Sequence, residues 1–466
     1  MKTISNNNIY ILTEESISIV EISKILKELS IKKNIEIKFK DLKIIPTILN
    51  NRFYHEYKAY NFTSNQVKEI YIYGVGAPSK SPFVDFLVYF QASKPSPEQL
   101  FENCVFAIEA TKTNNNDSRN TSLGQRAGKF VHLNYYLENK KYNTTPIMFK
   151  THEQKDDTDS VRFIGKLLNH LPVKTEFWGT KDFSYPKFES LDDLSTEKNN
   201  IADKNDRTND TPIYIRRELN KIKVSGRLSN PGSTGSKKDN YTGKIGHDPN
   251  QGQLAIIAKS IRNFSATEKI IINDHDLISK EVLKQNNKFI KFANYIDFEI
   301  DGCEIQKSTF NETYFQYLTK NNEKIASILA QVILVNKGMK TIFENHGGCE
   351  KSFIYLDLIN KDVEIKYKEF PKNYSQGKRK IPDLIMLDEQ TKTIYLYEGK
   401  QSKTKHKGLE EIEYYNDLEN DILAKYYPNY TFKRRLIIEG GKKDDNSIIT
   451  FQLDEDNFVI IKDEFL

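Results

Sequence analysis

Apolar and polar positions along the chain change in short runs that predict strands alternating with helices. Residues 83–91 (FVDFLVYFQ) and 104–111 (CVFAIEAT) are apolar and rich in β-branched and aromatic side chains, which predicts two strands. The spacing of apolar positions predicts further elements in this order: helix 124–140, strand 145–150, helix 160–171, helix 252–264, strand 268–274 and helix 277–285. Strands interleaved with helices indicate an α/β fold.

A second set of strands is predicted near the C-terminus, after helical spacing over residues 321–337. Residues 384–387 are apolar, the segment DEQTK contains turn formers, and residues 393–400 are apolar again, so we expect a β-hairpin. The amphipathic stretch 408–427 then predicts a helix, and residues 432–440 predict another strand.

Two segments are too polar to form a packed core. Residues 186–211 carry few apolar residues and many charges, so we expect a surface loop or a local linker there. Residues 225–253 are rich in Gly, Ser, Asn and Lys, and form either a flexible surface loop or a loop that follows a phosphate backbone. The alternation of elements breaks near residue 300, which gives the expected domains 1–298 and 299–466.

Composition and charge narrow the class of protein without assigning a function. The chain has 466 residues, enough for two or three domains, and a net charge of +5, so a polyanionic partner would meet local basic patches. Cys104, Cys303 and Cys349 include no CxxC pair, which argues against a disulfide framework and a cysteine-based zinc site. The N-terminus is unlike a signal peptide and no long apolar stretch occurs, so we expect a cytoplasmic protein without membrane contact.

The predicted C-terminal hairpin carries charges that are costly in an ordinary core. Side chains alternate between the faces of a strand, so Glu398 and Lys400 share one face, and Asp383 at the start of the partner strand can reach it. Two carboxylates suit a hard cation such as Mg²⁺, and a lysine can help orient or deprotonate an attacking water. The alternative is an exposed hairpin whose Glu and Lys pair with each other.

The order Pro382, Asp383, Glu398, Lys400 resembles the motif of the PD-(D/E)XK nuclease superfamily. In that motif Pro-Asp is followed, after a spacer, by Glu or Asp, any residue and Lys. The resemblance implies that Asp383 and Glu398 bind metal and that Lys400 is the catalytic lysine. It also implies a mixed sheet flanked by helices, to which the predicted helix and strand after the hairpin would belong.

An imperfect second copy of this pattern lies in the N-terminal half. Asp85 is in the first predicted strand and Glu109 in the second, so a hairpin would again bring two carboxylates together. Lys112 follows Glu109 by three positions instead of two, which turns it to the other face and puts Thr111 where lysine belongs. A bulge, or a strand that ends at Thr111, would restore the geometry.

Scattered blocks between residues 83 and 275 resemble segments of type II restriction endonucleases, including enzymes with two nuclease units in one chain. EATKTNNNDSRNTSLGQRAGKF and HDPNQGQLAIIAKSIRNF are two such blocks. The resemblance implies two restriction-endonuclease-like domains, each a mixed central sheet flanked by helices. It implies that Asp85 and Glu109 bind metal, that Lys112 is the second catalytic lysine, and that Gln125 and Arg126 lie beside the scissile phosphate. The alternative is an N-terminal half that recognises DNA without cutting it.

Basic residues near the C-terminal motif are expected to contact DNA, because positive charge beside a metal-binding acidic pair suits a polyanion. The expected contacts are Lys378, Arg379, Lys380 and Lys403.

The resulting prediction is a Mg²⁺-dependent, sequence-specific endonuclease that cuts double-stranded DNA with a different site for each strand. The resemblance also implies a cognate DNA methyltransferase in the same restriction-modification system, and leaves open a monomer or a homodimer. Two alternatives stay open: a homodimer that cuts with the C-terminal site alone, and a non-catalytic DNA-binding module.

Overall fold

The structure is a computed structural model, and it describes sixteen stretches of the chain. These are residues 7–14, 19–49, 52–78, 82–111, 122–140, 142–150, 159–177, 185–205, 213–226, 249–273, 287–301, 313–318, 340–343, 382–439, 448–453 and 459–461. The predicted helices 277–285 and 321–337 and most of the polar segment 225–253 lie outside the described residues. In these sixteen stretches no helix is long and apolar enough to cross a membrane.

The described elements alternate between strand and helix along most of the chain. From the N-terminus they are β1 Asn7–Thr13, α1 Ile19–Lys33, β2 Lys38–Leu49, β3 Arg52–Thr63, β4 Val67–Gly76, β5 Phe86–Gln91, β6 Cys104–Thr111, α2 Ser122–Lys140, β7 Thr145–Lys150, α3 Asp159–His170, β8 Lys174–Phe177, α4 Leu191–Asn205, β9 Ile213–Glu218 and β10 Lys221–Gly226. Then follow α5 Pro249–Phe264, β11 Lys269–Asn273, α6 Asn287–Ile296, β12 Phe298–Ile300, β13 Gln316–Tyr317, β14 Lys340–Phe343, β15 Leu384–Asp388, β16 Thr393–Gln401, α7 Lys405–Glu413, α8 Tyr415–Leu418, α9 Ala424–Tyr426, β17 Thr431–Glu439, β18 Ile448–Leu453 and β19 Val459–Ile461.

The chain is mixed α/β, as its pattern predicts, and divides into two compact units. The first unit comprises residues 1–75, 91–93 and 317–466, and the second comprises residues 76–90 and 94–316. The expected division into 1–298 and 299–466 differs from these units, which group the N-terminal residues with the C-terminal ones, and as a statement about domains it stays a prediction.

In the first unit, strands β1 to β4 lie in the order β2-β3-β4-β1, with β1 parallel to β4. The C-terminal strands of this unit form a separate mixed sheet in the order β14-β15-β16-β17-β18-β19. Strands β15 and β16 are antiparallel, whereas β17 runs parallel to both β16 and β18.

Helices α7 and α8 cover one face of the C-terminal sheet. The core between these helices and the sheet consists of buried apolar side chains from both layers: Ile385, Leu387, Ile394, Leu396, Ile412, Tyr415, Leu418, Leu423 and Tyr427. The alternate residues of β15 and β16 supply the sheet side of this core, as a period of two requires. The predicted hairpin and the helix after it are therefore present, although a π-helical turn at Glu419–Leu423 interrupts the helical stretch.

In the second unit, β5 to β8 lie in the order β5-β6-β7-β8, and β9 to β12 form a sheet in the order β12-β11-β10-β9. Helix α2 crosses over between β6 and β7, and α3 crosses over between β7 and β8. Parallel neighbours need such crossovers because a tight turn cannot join them.

The same succession of strand directions occurs in both units. The pairs β5/β6 and β15/β16 are antiparallel, and in each case the next two pairs are parallel. In each unit helical residues connect the second strand of the hairpin to the third strand, α2 in one and α7 to α9 in the other. The two hairpins therefore hold equivalent places in their sheets.

The expected loop over residues 186–211 is wrong for its central part, which forms helix α4. Leu194, Ile201 and Ala202 are buried at a spacing that puts them on one helical face. Ser190 accepts a hydrogen bond from the Asp193 N–H at 3.1 Å and caps the first turn. A prediction from composition does not recognise this apolar face, because Lys198 occupies one of its buried positions.

Candidate active sites

Asp383 and Glu398, here called the C-terminal pair, lie at one end of the β15/β16 hairpin. Leu384 is opposite Tyr397 in the register, so the next position along puts Asp383 opposite Glu398. The Asp383 Oδ2 atom accepts a hydrogen bond from the Gly399 N–H at 2.9 Å. This bond fixes the first carboxylate beside the backbone of the second.

Lys400 lies on the same strand face as Glu398, as alternation predicts. Its Nζ atom donates a hydrogen bond to Glu398 Oε1 and lies 2.8 Å from Glu411 Oε2 on helix α7. Glu398 and Lys400 are both buried, so their charges interact with little screening by water.

Tyr415 on helix α8 completes the surroundings of Glu398. Its hydroxyl donates to Glu398 Oε2, so both oxygens of this carboxylate accept hydrogen bonds. Burial and the Glu398 charge raise the pKa of Tyr415 well above its ordinary value, which keeps the hydroxyl protonated and able to donate.

Burial and the neighbouring Asp383 charge raise the pKa of Glu398 to about 8, even though Lys400 and Tyr415 favour its ionised form. The free energy of ionising Glu398 is therefore sensitive to any additional positive charge near the pair.

Asp85 and Glu109, here called the N-terminal pair, occupy the equivalent place on the β5/β6 hairpin. Phe86 is opposite Ile108, so Asp85 lies opposite Glu109 by the same one-residue step. The Asp85 Oδ2 atom accepts from the Ala110 N–H at 2.7 Å, and the Asp85 N–H donates to Glu109 Oε2 at 3.2 Å. Both pairs thus share one contact: the aspartate accepts the N–H of the residue after the glutamate.

The positive charges at the N-terminal pair come from helix α2. Lys129 Nζ bridges the two carboxylates, at 3.1 Å from Asp85 Oδ1 and 2.8 Å from Glu109 Oε2. Arg126 Nη1 lies 2.8 Å from Glu109 Oε1 and 3.6 Å from Asp85 Oδ2, and donates to the Ala110 carbonyl at 3.0 Å. Arg126 and Lys129 are three residues apart, which puts both side chains on one face of the helix.

The N-terminal carboxyls differ in their pKa. Burial and the Asp85 charge raise the pKa of Glu109 to about 8. Burial also acts to raise the pKa of Asp85, but Lys129, Arg126 and the Ala110 N–H outweigh it and hold that pKa below its ordinary value. Asp85 is therefore the carboxylate of this pair that stays ionised most readily.

The structure brings together Asp383, Glu398 and Lys400, and also Asp85, Glu109 and Arg126. Lys403 is exposed in a short 3₁₀ turn after β16, and Gln125 belongs to helix α2. Lys112, Lys378, Arg379 and Lys380 lie outside the described residues.

Three residues that the sequence analysis missed belong to these sites: Lys129, Glu411 and Tyr415. Lys129 carried a signal, because it follows Arg126 by three positions in a predicted helix beside the second strand. Glu411 and Tyr415 are four apart on the helical stretch that follows Lys400, a spacing that also puts both on one face.

The basic run at residues 433–435 is divided between two sheet faces, since neighbouring side chains of a strand alternate. Arg434 faces the helices and donates to both carboxylate oxygens of Glu419 at 2.8 Å. Lys433 and Arg435 lie near the ring of Tyr395, at 5.7 and 5.9 Å from its centre. Arg434 is therefore engaged within the unit, and Lys433 is the exposed member of the run.

Within the part of the chain that the structure describes, no group of three or more His, Cys, Asp and Glu side chains is arranged to hold a metal ion. The N-terminal pair and the C-terminal pair each offer two carboxylates. That donor set fits Mg²⁺, which usually binds through one or two carboxylates and keeps several waters.

No family model matches the chain, and neither a curated protein nor a solved structure is significantly similar to it.

Proposed function

We propose that this chain is a Mg²⁺-dependent, sequence-specific endonuclease of double-stranded DNA, organised like a type II restriction enzyme of the PD-(D/E)XK superfamily. Each unit would contain one restriction-endonuclease-like core. The observation that carries the proposal is the C-terminal constellation, in which Asp383, Glu398 and Lys400 meet at one end of a hairpin followed by a parallel crossover.

Asp383 and Glu398 would hold the metal, and the backbone bond from Gly399 supports this role by fixing Asp383. When bound, Mg²⁺ supplies positive charge for the scissile phosphate and lowers the pKa of a bound water. Lys400 would orient the attacking water as an ammonium group, or deprotonate it as the neutral amine, and its Nζ atom is buried beside the pair and donates to Glu398. Tyr415 would hold the carboxylate of Glu398 in position through its second oxygen.

The N-terminal pair supports a second active site, because its register and its aspartate-to-backbone bond repeat those of the C-terminal pair. Two different sites in one chain would let a monomer cut each strand of an asymmetric sequence. In this site Lys129 occupies the place next to the carboxylates that the sequence analysis assigned to Lys112.

A homodimer that cuts with the C-terminal site alone is the second candidate. The contacts of Lys129 and Arg126 with both N-terminal carboxylates favour it, because a buried ion-pair network is also a common structural arrangement. In either form we propose double-stranded DNA as the substrate, a cytoplasmic setting and a cognate DNA methyltransferase as partner.

The proposal is tested by incubating supercoiled plasmid and bacteriophage DNA with the purified chain in Mg²⁺. Wild type should give discrete double-strand fragments. Asp383→Ala and Glu109→Ala should each give nicked circles, because each removes a metal ligand for one strand only. EDTA should abolish every product.

Two matched controls separate lost chemistry from lost folding. Asp388→Asn alters the carboxylate at the end of β15, which accepts the N–H groups of Gln390 and Thr391 in the hairpin turn, and Glu102→Ala alters an exposed residue ahead of β6. Both should cut like wild type. Double-strand cleavage by Glu109→Ala with none by Asp383→Ala would favour the homodimer. DNA binding by wild type without any Mg²⁺-dependent cleavage would favour the binding module and refute the nuclease.

A further inference from the structure

The N-terminal pair is closed on its solvent side by two cations from one helix. The Asp85 and Glu109 side chains are 2% and 0% exposed, whereas those of Arg126 and Lys129 are 20% and 24% exposed. The carboxylates are therefore buried, whereas the two cations that contact them are partly exposed to solvent.

Every carboxylate oxygen of the N-terminal pair has a positively charged group within 3.6 Å. Lys129 lies at 3.1 Å from Asp85 Oδ1 and 2.8 Å from Glu109 Oε2, and Arg126 lies at 3.6 Å from Asp85 Oδ2 and 2.8 Å from Glu109 Oε1. When both carboxyls are ionised, the two carboxylates and the two cations balance in charge. A divalent cation added to this set would leave two excess positive charges in a poorly solvated place, which is costly.

Close packing restricts the movement of helix α2, so the excess positive charge can be removed only by movement of the Lys129 or Arg126 side chain. A Cβ atom at Gly128, between Arg126 and Lys129, would lie 2.8 Å from the Cα atom of Gly252 on α5. The two helix backbones therefore approach closely beside both cations, and α2 has little room to shift. The partly exposed lysine side chain, in contrast, can swing towards water when a metal cation replaces its charge beside the two carboxylates.

We propose that Lys129 and Arg126 occupy the N-terminal pair in place of a divalent cation, and that this site binds such a cation only when Lys129 is displaced. Lys129 is thus a positioning residue that keeps the two carboxylates together in the metal-free chain. The inference rests on the proposed function in naming a divalent cation as the ligand.

The test measures Mn²⁺ binding to the full chain without DNA, by electron paramagnetic resonance of free Mn²⁺. The parent protein carries Asp383→Asn and Glu398→Gln, so that the C-terminal pair does not contribute. Adding Lys129→Met to this parent should create one Mn²⁺ site at least about tenfold tighter than any site in the parent. Adding Glu109→Gln as well should remove that site, which would locate it at the N-terminal pair.

Lys129→Arg is the matched control, because it keeps the positive charge and should gain no site. Equal Mn²⁺ affinity in the parent and in Lys129→Met would overturn the inference, as would a folded Lys129→Met protein that binds no Mn²⁺. If Lys129→Met does not fold, Lys129→Gln carries the same test, and unchanged affinity in that folded variant would also overturn it. No DNA is cut in this assay, so its outcome is independent of whether the chain is a nuclease.

Discussion

The N-terminal pair and the C-terminal pair share a backbone frame but receive their positive charge from different elements. In both, an aspartate just before the first strand lies opposite a glutamate on the second strand and accepts the N–H that follows it. At the C-terminal pair the strand supplies Lys400, and the helices supply the acceptor Glu411 and the hydroxyl of Tyr415. At the N-terminal pair helix α2 supplies both cations.

This difference shows that a hairpin followed by a crossover determines the positions of the carboxylates more strictly than the positions of the cations that contact them. The carboxylate positions follow from strand register, which cannot slip by one residue without turning buried side chains to the other face. The cation can come from any element whose side chains reach the end of the hairpin. The comparison therefore predicts that the two sites tolerate different substitutions.

The largest expected effect is the loss of Lys400. Lys400→Ala should lower the rate of cleavage of one strand by about 10²- to 10⁴-fold, as expected when a general acid or base is removed. The measurement is single-turnover cleavage of plasmid, followed by the accumulation of nicked circles. Lys425→Ala, an exposed lysine on α9 of the same unit, should leave the rate unchanged. Equal rates for wild type and Lys400→Ala would remove Lys400 from the proposed chemistry.

The sequence could predict that the carboxylates of each site share one sheet face, because side chains alternate along a strand. The register that puts Asp383 opposite Glu398 and Asp85 opposite Glu109 comes from the structure. The spacing of Lys129 from Arg126 indicates that the two share a helix face. The contact of Lys129 with the carboxylates depends on how α2 packs over the sheet, which local periodicity does not specify. The roles of all these residues stay predictions.

The helices and strands, like the site residues, could be predicted only in part from the sequence. The hairpins and crossover helices have strong periodic signals, and the structure contains them. Helix α4 was not predicted because it has many polar residues and a buried lysine within its apolar face, and this composition is typical of a loop.

Lys198 on α4 offers the second test. It is a buried lysine in the same unit as Lys129, but its surroundings differ. Burial would lower the pKa of Lys129, but two carboxylates outweigh it and raise that pKa. At Lys198 burial lowers the pKa from 10.5 to about 8, and no described side chain forms an ion pair with it. Lys198→Met should therefore raise the free energy of unfolding at pH 7 by at most about 3 kcal/mol.

The sign of the pH dependence follows from the two pKa values of Lys198. As pH rises from about 8 towards 10.5, the unfolded lysine still holds its proton while the folded one has released it, so wild-type stability should rise. The advantage of Lys198→Met should shrink over the same range. Urea denaturation of both proteins at several pH values measures this, and a constant difference would contradict it.

Gly128 and Gly408 give the third test. In each unit one of these glycines lies where the helix that follows the hairpin packs closely against a neighbouring element. A Cβ atom at Gly408 would lie 2.5 Å from Leu436 Cδ1 and 2.8 Å from Lys400 Cγ, whereas one at Gly128 would meet the backbone of α5. Alanine at either position should cost about 1–3 kcal/mol of stability through overpacking.

Activity should separate the two glycine variants. Gly408→Ala should also slow cleavage of one strand, because Lys400 must move to admit the methyl group, and thermal unfolding combined with single-turnover cleavage measures both effects. Cleavage by Gly408→Ala at the wild-type rate would show that Lys400 tolerates this shift.

The smallest expected effect is at Tyr415, which has no counterpart among the described contacts of the N-terminal pair. Tyr415→Phe removes the hydroxyl that donates to Glu398 Oε2 and leaves that buried oxygen with one partner fewer. The loss should reduce stability by about 1–2 kcal/mol. Cleavage should slow by about tenfold without being abolished, because Asp383 and Lys400 remain in place. If Glu398 needs the hydroxyl to hold its orientation, the rate constant at saturating Mg²⁺ should fall. Recovery of the full rate at high Mg²⁺ would instead show that Tyr415 contributes to metal affinity alone.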